Sequence, residues 1–512
     1  MIRPKPVVLA IVSGFGVSPI VEGNAIRSAK LPSFSHLLET YPVVTLDASG
    51  AAVGLTDGAR GTSRAGCRTI GAGRAIPDAA TKIAVAVERG TMMSAPVIRR
   101  EFERIRRLGG AIHLVGSIGR SGSMEARTLS ALLRDAREQG LSRVFVHAIL
   151  RDGHAETDVL ADAEATIREA GVGALASILG AEYALDRDRQ WDRVRLAYEA
   201  ITLGTPSQRS WMDAVRATER VSGSESAFVP VALGGDRVRP GDTVLFFDTV
   251  SAEIRELATA MALPAFSSFT RPPIANIRVV TIVEIDPDLP IETAFAPPVV
   301  EGTLGEAIAS AGLRQLRIAE TEGFFDLTEG VNGSSVVLPG EERLIIPGPF
   351  ASRIERVPDM ASAAVADCAV KEIIHGKYDV IFVGFVAPDG LARTGDEAAA
   401  AKACEAVDRA LGRVAEATFA LDGVLLVVAD HGHAEGMRDP ATGEIEPVGT
   451  RNPVPFIIAG RPYEGLKAKA GDVVGGDLAL TAPAGTLADI APTMLKILGI
   501  PAPKEMKGEA IV

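Results

Sequence analysis

The sequence predicts an α/β protein, and two observations lead to this fold class. Short apolar runs rich in Val and Ile recur along the chain, as expected for strands that are buried on both faces of a parallel sheet. Helical patterns lie between several of these runs, which is the alternation typical of α/β domains. The runs are Val7–Val12, Ile112–Val115, Val144–Leu150, Val244–Phe247, Val380–Val386, Val424–Ala429 and Val454–Ile458.

The segment after Val380–Val386 illustrates the alternation. Thr394 and Glu397 have the spacing of a capping box, and the apolar residues that follow repeat on one helical face. The four alanines Ala398–Ala401 then fall in the interior of the helix. This pattern predicts a strand–loop–helix–strand unit, with function expected in the loops at the carboxyl ends of the strands.

The length of 512 residues is enough for two to four domains. The Pro-containing stretches Phe269–Ile277 and Asp286–Pro298 interrupt both helix and central strand and suggest a linker. Gly71–Asp78 has similar Gly and Pro punctuation. We therefore expect one domain formed by residues 1–77 and 300–512, and a second domain, residues 78–299, inserted into it.

Composition excludes several classes of function. The 53 Lys and Arg against 65 Asp and Glu give a net charge of −12, and no basic block is present, so a nucleic-acid partner is not expected. Three scattered cysteines are too few for a disulfide framework, which favours a cytoplasmic protein. No apolar stretch approaches the 18 residues of a membrane span, and the first apolar run is shorter than a signal-peptide core.

The segment DHGHAE, Asp430 to Glu435, places a carboxylate and imidazoles directly after a buried strand, where they could bind Mn²⁺ or Zn²⁺. In the alternative interpretation Asp430 caps a turn and His431 is a hydrogen-bonded loop residue. His433 is expected to be solvated. Asp389 also follows a strand run, and on its own is interpreted as a turn aspartate.

The Gly-rich segment Gly58–Cys67 carries Ser63 between small residues, as an exposed nucleophile or a phosphate-binding loop requires. A turn without function is an equally good interpretation. Ser13 ends the first strand run and is expected to be a turn residue.

Longer blocks of sequence carry a family resemblance from end to end. They are EGNAIRSAKLPSF, LDASGAAVGLTDGARGTS, EYALDRDRQWDRV, TLGEAIASAGLRQLRIAETE, YDVIFVGFVAPDG, VVADHGHAE, RNPVPFI and TLADIAPTMLKILGIPAPKEMKG. Together they resemble the cofactor-independent (2,3-bisphosphoglycerate-independent) phosphoglycerate mutase family of the alkaline phosphatase superfamily. The resemblance implies a phosphatase-like metal domain interrupted by a substrate-binding domain, two Mn²⁺ ions, and a serine that carries the phosphoryl group.

The resemblance implies seven metal-site residues, of which four are retained. Ser63 matches the nucleophile, and Asp389, Asp430 and His431 match metal ligands; the other three positions hold Ser13, Arg393 and Gly449. A fixed guanidinium charge at 393 opposes a cation and could instead pair with Asp389. We therefore expect no normal metal complement and at most one divalent ion. Ser13→Asp, Arg393→His and Gly449→His together are expected to restore Mn²⁺ affinity.

The residues that grip the substrate anion in the family are also largely replaced. Such sites use cationic, often bidentate donors. Of the implied set only Arg187 remains; the other positions hold Met124, Gly153 followed by His154, Ala181, Val250, Glu253 and Gly323. Glu253 is expected to repel a phosphate.

These replacements lead to three hypotheses. The first is a mutase-like pseudoenzyme without normal activity that binds or regulates an unknown protein or small molecule. The second is a divergent phosphatase or phosphotransfer enzyme that uses Ser63. The third is an ordinary glycolytic mutase that interconverts 3- and 2-phosphoglycerate.

Overall fold

The computed structural model describes residues 3–151, 156–204, 210–218, 228–234, 237–249, 251–272, 274–349, 357–439, 442–466 and 478–511. Its contacts divide the chain into two compact units, Met1–Pro77 with Pro298–Val512 (unit 1) and Asp78–Pro297 (unit 2). Of the residues singled out above, Gly153, His154 and Val250 lie outside the described residues.

Both strands and helices are distributed along the whole chain, as the α/β prediction requires. The strands are β1 Val7–Val12, β2 Val43–Asp47, β3 Ile112–Ser117, β4 Val144–Leu150, β5 Ala174–Gly180, β6 Val231–Ala232, β7 Thr243–Phe246, β8 Arg278–Val283, β9 Glu292–Phe295, β10 Gln315–Glu320, β11 Glu341–Ile346, β12 Val380–Phe385, β13 Val424–Val428, β14 Val454–Ala459 and β15 Gly485–Thr486. The helices are α1 Ala25–Ser28, α2 Pro32–Thr40, α3 Ser63–Ala72, α4 Ala79–Arg89, α5 Pro96–Leu108, α6 Met124–Glu138, α7 Glu156–Ala170, α8 Ala181–Ala184, α9 Trp191–Thr202, α10 Trp211–Thr218, α11 Ser251–Ala262, α12 Leu304–Ser310, α13 Ser362–His375, α14 Ala387–Ala392, α15 Glu397–Phe419 and α16 Ile490–Leu498.

The sheet of unit 1 has the strand order β11-β10-β12-β1-β13-β14-β2-β15. The central strand β1 pairs in parallel with β12 and β13, and every residue of β1 is buried. Because parallel strands end at the same edge, the segments after β1, β12 and β13 come together there. Ser13, Asp389 and Asp430 belong to these three segments.

The sheet of unit 2 has the order β6-β5-β4-β3-β7-β8-β9, and its pairings are parallel except for that of β6 with β5. Its central strands are again buried on both faces. The carboxyl ends of β3, β4 and β7 therefore lie side by side and bring Ser117, Arg151 and Asp248 to one edge.

The α/β prediction is confirmed, and all seven predicted strand runs are strands whose bounds agree within two residues. The predicted capping box is wrong. The Asp396 side chain caps α15 by accepting from the Ala399 N–H at 3.0 Å, whereas the Thr394 hydroxyl donates to the Leu391 carbonyl. The predicted linker stretch Asp286–Pro298 contains the edge strand β9. No described helix combines the length and apolar character needed to cross a membrane.

Candidate functional site

Asp430 and His431 follow β13 at the carboxyl edge of the unit 1 sheet. The two side chains contact each other, with 2.8 Å between Asp430 Oδ1 and His431 Nδ1. The other carboxylate oxygen accepts a hydrogen bond from the Ser13 hydroxyl at 2.8 Å, and the Cys67 thiol lies 3.7 Å away. Ser13 therefore does more than form a turn, because its hydroxyl holds the carboxylate of Asp430.

Asp389 lies in the short helix α14, so the interpretation as a turn aspartate is wrong. Its buried carboxylate contacts three side chains that can carry positive charge. Oδ1 lies 3.2 Å from His431 Nε2 and 2.7 Å from His433 Nδ1, and Oδ2 accepts from the Arg393 guanidinium. The ion pair between Arg393 and Asp389 is the pairing that the sequence suggested.

The expectation that His433 is solvated is also wrong, since its side chain is 0% exposed. The loop that returns the chain toward β14 covers it, and His433 Nε2 lies 2.9 Å from the Glu446 carbonyl oxygen. The two nitrogens of this imidazole thus have fixed partners, the carbonyl on one side and Asp389 on the other.

The electrostatics of the cluster follow from these contacts. Burial acts to lower the pKa of His431, but the carboxylates of Asp430 and Asp389 on its two sides outweigh burial and raise that pKa to about 10. Burial acts to raise the pKa of Asp389, yet His431, His433 and Arg393 together hold it well below its usual range. The site is therefore a network of charged groups with Asp389 at its centre.

Three of these residues could hold a metal ion. Asp389, His431 and His433 each offer one ligand atom, and the three atoms lie within 4.8 Å of one another. Histidines that bind metals usually use their second nitrogen for an outer hydrogen bond to a carboxylate or carbonyl, and Asp430 and Glu446 supply such partners here. Asp430, predicted as a ligand, is thus in contact with the triad but outside it.

Ser63 is the first residue of α3 and is half-buried, with Thr62 as the helix cap. Among the described residues no hydrogen-bond partner of its hydroxyl is present. The position of α3 depends on Gly66, where any Cβ atom would run into the backbone oxygen of Asp430. A glycine at this point therefore lets the helix that carries Ser63 approach the end of β13.

Gly449 is packed too tightly to accept the histidine that was expected to help restore Mn²⁺ affinity. A Cβ atom there would lie 2.5 Å from His431 Cδ2 and 2.9 Å from the Gly432 carbonyl oxygen, and would also meet the oxygen of Gly61. Two of these neighbours are backbone, which cannot move aside as a flexible side chain does. Gly449→His therefore requires the loop itself to shift, contrary to the expectation that the ligand position is preserved.

Two residues of this region were missed from the sequence. The buried carboxylate of Glu435 accepts from the Gly16 and His433 N–H groups and from the Asn452 amide, at 2.9, 2.8 and 3.0 Å. It thereby joins three loops around the site. The sequence signal for Glu435 was a charged residue close to a buried strand. The second missed residue is Asp326, to which no motif pointed; burial and the nearby Asp430 raise its pKa to about 6.

In unit 2, Glu253 is not an isolated repelling charge. Its carboxylate pairs with Arg187 and also with Arg151, a residue that the sequence analysis did not single out although it directly follows β4. Met124 and Ala181 are the first residues of α6 and α8 and have no cationic group to offer. In unit 1, Gly323 is buried, and a Cβ atom there would collide with Val386 Cγ1.

Comparison with known proteins assigns the chain to a family. A family model described as the metalloenzyme superfamily matches residues 5–502. The 2,3-bisphosphoglycerate-independent phosphoglycerate mutase of Moorella thermoacetica is 38% identical over 522 residues, which cover 99% of this chain and 98% of that protein. The chain belongs to the 2,3-bisphosphoglycerate-independent phosphoglycerate mutase family. This confirms the family predicted from the sequence blocks.

Further similarities agree with this assignment. The corresponding mutase of Clostridium perfringens strain 13 is 36% identical over 523 residues, with 99% of each chain covered. A crystal structure of Leishmania mexicana phosphoglycerate mutase at low cobalt concentration matches with a TM-score of 0.67 at 23% identity, over 99% of this chain and 98% of that chain. At that identity the likeness establishes the fold. Within this mutase-family fold, the cluster around Asp389 is the candidate site of unit 1.

Proposed function

We propose that this member of the mutase family does not interconvert phosphoglycerates through a two-ion centre and instead acts as a binding or regulatory protein. The observation that carries the proposal is the environment of Asp389. Both of its oxygens are already engaged by side chains of the chain itself, one by Arg393 and the other by His431 and His433. A guanidinium in contact with the carboxylate opposes the approach of a metal cation.

The donor set fits one ion at most. Asp389, His431 and His433 would hold it, and an ion there would polarise an oxygen of a bound phosphoryl group. A second ion would also need His431, because the resemblance pairs that imidazole with Asp430. Since His431 Nε2 is directed at Asp389 and Nδ1 at Asp430, a single imidazole cannot complete both sites.

Metal content and turnover test this proposal together. We expect calorimetric titration of the purified protein with Mn²⁺ to give at most one ion per chain, and no conversion of 3-phosphoglycerate above background. Any binding should disappear in His433→Asn and persist in His375→Asn, which changes an exposed histidine of α13. Tight binding of two ions together with mutase turnover would overturn the proposal and favour the third hypothesis, an ordinary mutase such as the relatives are named for.

A second candidate function is a divergent phosphatase or phosphotransfer enzyme. It is favoured by the Ser63 hydroxyl, which stands at the start of the ten-residue helix α3 without a hydrogen-bond partner in the described part of the chain. A hydroxyl that is held by no other group could attack a phosphoryl or sulfuryl group and displace its leaving group, with solvent taking the hydroxyl proton. Hydrolysis of p-nitrophenyl phosphate or sulfate that is lost in Ser63→Ala and retained in Ser35→Ala would select this candidate over the binding protein.

A further inference from the structure

Five arginines lie at the amino edge of the unit 2 sheet, which is the edge opposite to that of Glu253. The strands β3, β4, β7 and β8 are parallel neighbours, so they begin at this common edge, and the segments that enter them carry the arginines. Four of the five are exposed and Arg143 is half-buried; the full set is Arg106, Arg107, Arg143, Arg239 and Arg278. None of them stands at an anion-binding position that the family resemblance implies.

Asp242 joins three of these segments. Its carboxylate accepts from the N–H of Ala111, before β3, at 2.7 Å and from the N–H of Arg239, before β7, at 2.8 Å. Its carbonyl oxygen accepts from the N–H of Arg278, at the start of β8, at 3.0 Å. Segments that are distant in the sequence are thus held side by side, which is why the sequence itself contains no basic block.

Arg143 reaches the same surface from the segment before β4. Its Nη1 lies 3.5 Å from the carbonyl oxygen of Gly109, the residue that ends α5. Arg106 and Arg107 belong to the last turn of α5, and Leu108 beside them is 63% exposed. We call the surface formed by the five arginines and Leu108 the amino-edge patch.

The amino-edge patch carries an excess of positive charge. Within the described part of the chain, none of its five arginines forms a salt bridge. The carboxylates of Asp242 and Glu101 beneath it are buried and already engaged, the first by two backbone N–H groups and the second by Arg104. Glu103 on α5 is exposed. Even with the charges of Asp242 and Glu103 counted, three of the five positive charges remain, on a chain whose net charge is −12.

The small extent of the patch decides which polyanion it fits. Attraction between charges in solution is screened over about 8 Å at physiological ionic strength, so the patch attracts only the charges that are seated on it. A long nucleic acid or an anionic bilayer extends beyond that distance and is repelled by the acidic remainder of the chain. A short acidic segment of a polypeptide meets the arginines alone.

The side chains of the patch also favour a polypeptide. The Phe145 ring beneath the Arg143 guanidinium is 8% exposed, so it offers no free face for the base stacking on which binding of single-stranded nucleic acids depends. The exposed Leu108 provides an apolar contact that a side chain of a partner can cover. The planar guanidinium groups match the geometry of carboxylates, which they bind through paired N–H donors.

We propose that the amino-edge patch docks a short segment, rich in Asp and Glu, of a partner protein. The arginines of the patch pair with the carboxylates of that segment, and Leu108 packs against it. The inference goes beyond the function proposed above, because it concerns another surface and holds whether or not unit 1 binds metal or converts phosphoglycerate.

The test uses the full chain and fluorescein-labelled octaglutamate as the probe. We expect fluorescence anisotropy to show saturable binding at low salt that weakens as the salt concentration rises. Arg107→Glu combined with Arg239→Glu should weaken this binding at least about tenfold. The matched control is Arg413→Glu combined with Arg461→Glu, which changes the net charge equally at two exposed arginines of unit 1 and should weaken binding less than about twofold.

A milder variant covers the case in which the charge reversal does not fold. Arg107→Gln combined with Arg239→Gln removes the two charges without introducing new ones and should weaken binding at least about threefold. The inference is overturned if octaglutamate does not bind saturably, or if the patch variants bind it as tightly as the control variant does.

Two further probes examine the choice of partner. Labelled octathymidylate and phosphatidylserine vesicles are titrated under the same conditions, and we expect both to bind more weakly than octaglutamate. Tighter binding of either probe that is lost in the patch variants would assign the patch to a nucleic acid or a membrane and overturn the assignment to an acidic polypeptide.

Discussion

Each of the two sheets of this protein ends in a cluster of charged side chains. At the edge of the unit 1 sheet, the buried carboxylate of Asp389 pairs with Arg393. At the edge of the unit 2 sheet, the buried carboxylate of Glu253 pairs with Arg187 and Arg151. In each cluster a buried carboxylate is thus paired with arginine.

The clusters differ in how much water reaches them. Of the three side chains that contact Asp389, His431 and His433 are 3% and 0% exposed and Arg393 is 49% exposed, whereas both arginines beside Glu253 reach solvent. Charges that cannot be rehydrated are costly to leave unpaired, and exposed ones are not. Loss of the carboxylate should therefore lower stability more in unit 1 than in unit 2.

The largest expected effect comes from Asp389→Asn. The substitution leaves His431, His433 and Arg393 without the carboxylate that they share, and we expect it to lower the free energy of unfolding by about 3 kcal/mol or more. Urea unfolding in the presence of EDTA measures the change without a contribution from metal. Asp367→Asn, which removes an exposed partner of Arg413, should change it by less than about 0.5 kcal/mol.

Urea unfolding of Glu253→Gln measures the corresponding cost for the unit 2 cluster. Its arginine partners can be hydrated, so its loss should cost about 1 kcal/mol or less. Equal costs for Asp389→Asn and Glu253→Gln would contradict the distinction between the two clusters.

The second prediction concerns Glu320, a buried carboxylate that forms no salt bridge within the described part of the chain. Glu320 Oε2 accepts from the Ala361 N–H at 3.1 Å, while Oε1 has no partner among the described residues. Burial raises the pKa of Glu320 to about 7 from an ordinary value of 4.5. Between these two values the folded state binds the proton more tightly than the unfolded chain does, so this group's contribution to stability is lost as pH rises from about 4.5 to 7.

Glu320→Gln should abolish the loss of stability that ionisation of Glu320 causes as the pH rises. We expect the free energy of unfolding of the variant, relative to that of the unchanged protein, to be higher at pH 8 than at pH 5 by as much as about 3 kcal/mol. Urea unfolding at the two pH values measures this difference. Glu39→Gln, on the exposed side of α2, should leave the pH profile as it was. A variant that is less stable than the unchanged protein at pH 8 would show that ionised Glu320 has a partner in solution, and would weaken the contrast with Asp389.

The strands, and the edge at which the unit 1 site lies, could be predicted from sequence, because buried parallel strands require uninterrupted Val and Ile runs. The partners of the charged groups could not be predicted from sequence. Glu253 pairs with two arginines that lie 66 and 102 positions away in the chain, and no local pattern encodes such contacts. His433 was expected in solvent because its burial depends on the loop at Glu446, 13 residues later. The strand pattern therefore located the unit 1 site, the family resemblance pointed to Arg187 and Glu253 in unit 2, and neither predicted how the charges are paired.

The smallest expected effect belongs to Arg187→Gln, and it tests whether the two arginines of unit 2 differ as their contacts suggest. Arg187 is mostly exposed and pairs with Glu253, so its loss should lower the free energy of unfolding by about 0.5 kcal/mol, and by less at high salt. Arg151→Gln also takes a cation from the buried Asp248 and should cost about 1–2 kcal/mol. A double-mutant cycle with Glu253→Gln measures the coupling of each arginine to the carboxylate by urea unfolding. If Arg187 proved the costlier loss, the greater weight given to the contact of Arg151 with the buried Asp248 would be wrong.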